Sequence, residues 1–223
     1  MLIKKFTASA VIAAFAVWVL IAAAAGCAPV SQGPVSTPAQ KEKSKMEYRQ
    51  NPNPTKAHQL IMRIDNAPGE FGWMHGFMQY DVTNRECLPP PDENHGHLSP
   101  IPTRSVEFDL TQESPGEYSG IVYTDGMIDE DYHGRGVCRW KLMNVQVQLK
   151  ATGTEGETLF MADIFGEELL AGKTKTLYFW KGGYPHSSVR DFPDSGETDQ
   201  DKFKLELRDD LFTITLASKE LTP

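Results

Sequence analysis

Two histidines separated by one glycine, His95 and His97, sit in the proline-rich stretch LPPPDENHGHLSPIP with Asp92 and Glu93, and His133 follows the acidic run Asp129-Glu130-Asp131. Histidines at that spacing can both reach one zinc ion, and carboxylates or a third histidine could complete a tetrahedral set. By composition the stretch is a loop, where histidine is an ordinary solvated side chain, so no metal or other cofactor is expected. DGMIDEDYHG is rich in oxygen donors but lacks the Asp-x-Asp-x-Asp-Gly spacing of a calcium loop. Asp and Glu together number 30, enough for a glycosidase pair, but nothing singles out two of them, and a solvated acidic surface is the simpler reading. Nucleophile signatures are missing: there is no Gly-x-Ser-x-Gly elbow and no Ser-x-x-Lys. Triads are assembled in space, so an envelope hydrolase stays open as a third reading. The expectation is a protein that is not an enzyme, and no catalytic residue is nominated.

The same acidic run offers recognition. Asp129, Glu130, Asp131, Tyr132, His133 and Arg135 lie just before Cys138, and a Tyr/Arg centre among acids is the composition of an interface hot spot. A disulfide at Cys138 would pin the loop to a strand and lower the entropy lost on binding. The alternative is a long connector whose polar groups meet only water.

The chain has three cysteines. Cys27 ends a segment that opens with Lys4 and Lys5 and runs from Phe6 to Ala25 with Thr7 and Ser9 as its only polar side chains. Positive flank, apolar core and small residues before a break make a secretory signal. Ala24-Ala25-Gly26-Cys27 resembles the bacterial lipobox, whose cysteine is lipidated and becomes the mature N-terminus, although Ala24 stands where leucine is commonest. About twenty apolar residues also suffice to span a bilayer, so an uncleaved anchor is the alternative. Either way the basic flank stays inside and everything after Cys27 is exported. The resemblance implies a lipid-anchored protein on the periplasmic side, and Ala28, where inner-membrane lipoproteins carry aspartate, favours the outer membrane.

Removing Lys4 and Lys5 takes the formal net charge from −8 to −10, which disfavours nucleic acid and anionic lipid surfaces and suits a basic protein partner. With Cys27 assigned to lipid, Cys87 and Cys138 form an even pair in an oxidising compartment, which favours a disulfide; two free buried thiols are the alternative.

These features divide the chain into a signal peptide (1–26), a lipidated cysteine with a Pro/Ser/Gln-rich flexible tether (27–46) and a single β-rich domain (47–223). Within the domain, strands are predicted over His58–Asp65, Phe71–Val82, Ser105–Leu110, Glu117–Thr124, Thr158–Ile164, Thr176–Lys181 and Lys202–Arg208, the last forming a hairpin with a strand through Phe212, Ile214 and Leu216. In Cys138–Lys150 the apolar set changes phase from Cys138, Trp140 and Leu142 to Met143, Val145, Val147 and Leu149, which predicts a β-bulge near Leu142–Asn144. One helix-like piece, Gly166–Gly172, is barely two turns long. The fold class is therefore all-β: an antiparallel β-sandwich or open barrel of about nine strands with one disulfide and at most one short helix.

The ordered blocks YRQNPNPTKAHQL, YDVTNRECLPPP, DEDYHGRGVC, LYFWKGGYP and LFTITLASKE resemble small Gram-negative lipoproteins that act as immunity proteins against lipase or phospholipase effectors of the type VI secretion system. The resemblance covers about residues 47–223 and supports pairing of Cys87 with Cys138. It implies a rigid periplasmic domain that binds and neutralises a secreted toxic enzyme. A structural or assembly lipoprotein of the cell envelope is the alternative.

Overall fold

The structure, a computed structural model, describes residues 47–90, 100–189 and 193–221. Cys27, the signal and the tether, and the His95/His97 loop with Asp92 and Glu93, lie outside the described residues. Nine strands form two antiparallel sheets: β1 (Ala57–Asp65), β2 (Trp73–Val82), β3 (Thr103–Phe108), β4 (Leu110–Ser114), β5 (Glu117–Tyr123), β6 (Trp140–Lys150), β7 (Phe160–Phe165), β8 (Lys175–Trp180) and β9 (Leu211–Glu220). One sheet has the order β4-β5-β1-β9-β8 and the other β3-β2-β6-β7. One five-residue α-helix, α1 (Gly166–Leu170), follows β7. The all-β, disulfide-bonded fold read from the pattern is the fold observed.

Alternation positions the core. Leu60 and Met62 of β1, Val145, Val147 and Leu149 of β6, Phe160 and Ile164 of β7, and Ile214 and Leu216 of β9 are fully buried between the sheets. Each such side chain is worth about 1.5–3 kcal/mol of burial. The rings of Phe71, Phe160, Phe179 and Phe212 pack with centroids 5.2–6.0 Å apart. The expected bulge is present: Gln79 pairs with Asn144 but Tyr80 pairs with Leu142, so Met143 is the extra residue. It is 39% exposed while Leu142 and Val145 stay buried, and one inner face survives the change of phase.

Two expectations are corrected. Lys202–Arg208 is not a strand; 3-10 turns occupy Gln200–Lys202 and Leu205–Asp210. Arg208 folds the segment back by donating to Phe203 O at 3.1 Å and Asp201 O at 2.8 Å, and Leu205 is left 77% exposed. The strand through Phe212 does form, as β9, but it pairs with β1 and β8. Ser105–Leu110 is likewise two elements, because the chain leaves one sheet at Phe108 and enters the other at Leu110.

The two long sides of the sandwich differ. On the β7/β8 side, Asp194–Glu197 bridges the sheets: Met161 N–H donates to Asp194 O at 2.7 Å and Asp194 N–H to Leu159 O at 2.8 Å, while Tyr178 and Glu197 exchange bonds of 2.7 and 2.9 Å. Gly196 makes this possible with φ of 63°, and a Cβ there would come within 2.7 Å of the Phe179 ring. Opposite, β3 and the short β4 leave the sandwich open. The N-terminal segment laces one end: Ile128 N–H donates to Arg49 O, Asn51 N–H to Gly126 O, and Thr124 N–H to Lys56 O. Asp125 clamps it by accepting from Thr55 N–H and Lys56 N–H at 2.9 and 3.0 Å. Burial opposes ionisation of Asp125, but these bonds and that of the Thr55 hydroxyl outweigh it and hold the carboxyl below its ordinary range.

Candidate partner-binding surface

Cys87 and Cys138 are joined, with Cα atoms 5.2 Å apart. Cys87 closes a 3-10 turn after β2 and Cys138 precedes β6, so the bond ties the loop that follows β5 to the neighbouring sheet. Both cysteines are fully buried with Val82, Leu88 and Tyr132 in a small second core, against which Tyr48 and Trp140 pack. Closing a loop of this length contributes about 4 kcal/mol in the chain-entropy account.

All six nominated residues fall in this loop, but their side chains do different work. Asp129 accepts from Trp140 N–H at 2.8 Å. Asp131 accepts from Arg135 N–H at 2.9 Å and His133 N–H at 3.3 Å; the backbone N–H groups gathered on it outweigh its desolvation and hold its carboxyl below the ordinary range. Tyr132 is only 9% exposed. Its hydroxyl donates to Ile128 O at 2.7 Å and accepts from Arg49 N–H at 3.3 Å, so its ring props the loop from within. Glu130 pairs with Arg49 at 2.5 Å and also bridges to Cys138 through the backbone. His133 shares a 3.1 Å hydrogen bond with Tyr48. Arg135 is exposed.

Of the six only Tyr132 is buried: Asp129, Asp131 and Arg135 are exposed and Glu130 and His133 half-buried, and three residues that the sequence did not nominate join them at the surface. Tyr48 stacks edge-on with Tyr132, His133 and Trp140 at 5.0–5.9 Å, and the Arg104 guanidinium sits 5.0 Å over its ring. Arg49 completes the ion pair. Tyr48 and Arg49 are more than 80 residues from the loop, and Arg104 comes from β3, so only the fold brings them together. A Tyr flanked by Arg at the start of the domain was the one local signal.

Among the described residues no group of three His, Cys, Asp or Glu is placed to hold a metal ion, and no helix is long and apolar enough to cross a membrane. Compared with protein families, with curated proteins and with solved structures, the chain gives no match in any of the three.

Proposed function

We propose that this chain is a membrane-anchored binding protein on the periplasmic side of the bacterial envelope, and specifically an immunity protein that binds and neutralises a secreted toxic lipase or phospholipase. One observation carries the binding part: the loop Asp129–Cys138 is fixed in advance by the disulfide, the Glu130–Cys138 bridge and carboxylates that accept backbone N–H groups. A surface held this way loses little conformational entropy on association. The choice of an immunity role rests on the resemblance of the sequence blocks, and the anchor on the lipobox-like residues ending at Cys27.

The test begins with the gene neighbourhood, where a toxin gene is expected beside this one, and is completed by periplasmic co-expression with that gene's product. Survival is expected, with lysis restored when the chain is omitted; lysis despite its presence would sink the reading. A deletion strain that loses envelope integrity in pure culture, with no attacker, would instead indicate the structural lipoprotein. Labelled fatty acid should enter the wild-type chain and not Cys27→Ser.

A further inference from the structure

The open side of the sandwich carries three adjoining concavities of about 690, 390 and 360 Å³. The first lies between β3 and β5 beside Pro52 and Pro54, the second beyond Phe108 between β2 and β4, and the third reaches Glu70 and the β4–β5 turn. Their walls are shared. Glu107, Phe108 and Asp109 line the first two, and Phe71, Gly72, Gln112 and Tyr118 line the second and third, so they form one trough.

The trough is rigid at its middle. The Phe108 ring is held between Gly76 of β2 and Gly120 of β5, where an added Cβ would come within 2.5 and 2.8 Å of it. Its floor is apolar and aromatic, with Met78, Val106 and Tyr123 on one side of that ridge and Met74 and Tyr118 on the other. Its charge has one sign: Glu70, Glu107 and Asp109 are exposed carboxylates, and among the described residues neither lysine nor arginine lines any of the three parts, His75 being the single basic side chain there. The negative potential reaches the floor, since burial and then the charge of Glu70 raise the Tyr118 hydroxyl above its ordinary value.

Strand edges border the trough as well. β3 is the edge of its sheet, and β4 covers β5 only from Glu117 to Gly120. Beyond Gly120, Ile121 has β1 on one side and the trough on the other, whereas the main chain of Tyr123 is already engaged, its N–H donating to Met78 Sδ at 3.1 Å and its carbonyl accepting from the Tyr80 hydroxyl. An extended chain is the shape that such an edge accepts, with main-chain bonds giving affinity and alternate side chains giving specificity.

We propose that this trough is the docking site for an extended segment of a protein partner in which lysine or arginine alternates with apolar residues, the basic side chains meeting Glu70, Glu107 and Asp109 and the apolar ones lying against the floor. The identity of that partner as a toxic enzyme rests on the function proposed above; the chemistry of the segment does not.

Titration calorimetry of the full chain in detergent tests it with a peptide of about twelve residues alternating Lys and Val, about 40 Å long when extended at about 3.3 Å per residue, and with its Glu/Val counterpart. The Lys/Val peptide should bind, more weakly as salt rises, and the Glu/Val peptide should not. E70Q/E107Q/D109N should lower the affinity about tenfold, from three exposed charge pairs. E206Q/D209N/D210N, which removes as many charges from a 3-10 turn whose carboxylates line none of the three parts, should leave it unchanged. Absence of binding, equal binding of the two peptides, or wild-type affinity in the trough variant would overturn the proposal. Effector neutralisation separates the two readings. A wild-type chain that binds the peptide but fails to protect refutes the immunity role and leaves the trough standing. Protection that is undiminished in E70Q/E107Q/D109N refutes the trough and leaves immunity standing.

Discussion

The two long sides of the sandwich are built from similar strands and finished in opposite ways. On the β7/β8 side, Asp194–Glu197 satisfies strand edges with backbone bonds of 2.7–2.9 Å and lies over the aromatic core of Phe160, Phe179 and Phe212. On the β3/β4 side, the edges are left beside an acidic, apolar-floored trough. The difference teaches that one side is stabilised by covering its edge, whereas the other keeps its edge and relies on carboxylates to discourage pairing with like chains, a common use of charge on exposed strands.

The largest test of that contrast is truncation on each side. Phe160→Ala should cost about 3–5 kcal/mol in urea unfolding, and Phe108→Ala, at a half-buried position, about half as much; equal costs would break the comparison. Replacing both Cys87 and Cys138 by serine should cost about 2–4 kcal/mol at the end of the sandwich, leaving a difference between the two sides intact in the variant. Gly196→Ala should lose about 1–3 kcal/mol, because a left-handed φ and the Phe179 ring both oppose a Cβ. Gly134→Ala, with φ of 67° and nothing within 4 Å, should lose about 1 kcal/mol, the conformational part alone.

Two carboxylates sharpen the contrast by pH. Burial raises the Asp194 carboxyl above its ordinary value, with the N–H of Gly196 opposing and the charge of Glu197 adding to the shift. Its contribution to stability is thus present below the ordinary carboxylate pKa and is lost as pH rises through the raised folded value. Asp194→Asn should flatten that part of a pH–stability profile. Asp125, held low in the folded state, does the reverse: its contribution is present above the ordinary carboxylate range and lost as pH falls through the lowered value. The smallest expected effect belongs to the open side, where E70Q/E107Q/D109N should change the unfolding free energy by no more than about 0.5 kcal/mol, measured by the same urea transitions.

Much of the architecture was legible because period-two patterning reports directly which face is buried. The phase change in β6 located a bulge at Met143, since only an inserted residue keeps both halves of the apolar set inward. Period two was misleading in Lys202–Arg208, where Phe203, Leu205 and Leu207 alternate with charges but Arg208 bonds back to Phe203 and Asp201 and turns the segment. It also could not reveal the change of sheet at Asp109, because Phe108 and Leu110 keep the alternation through the break. The nominated loop residues were found together, yet beyond the adjacent Tyr48 and Arg49 nothing local pointed to these two and Arg104 as their neighbours, or to the trough. Those depend on contacts between distant residues, which no local pattern encodes.

The lacing of Tyr48–Lys56 has a mechanical consequence. Its bonds to Ile128, Gly126, Asp125 and Thr124 are met in sequence by a pull on the chain from its N-terminal side, starting at Arg49. Load would therefore enter first through the disulfide-stapled loop, whose covalent link passes it to the second sheet. β1, which holds the centre of the first sheet, would bear tension only after every one of those bonds had yielded, so the segment acts as a strain relief for the strand behind it.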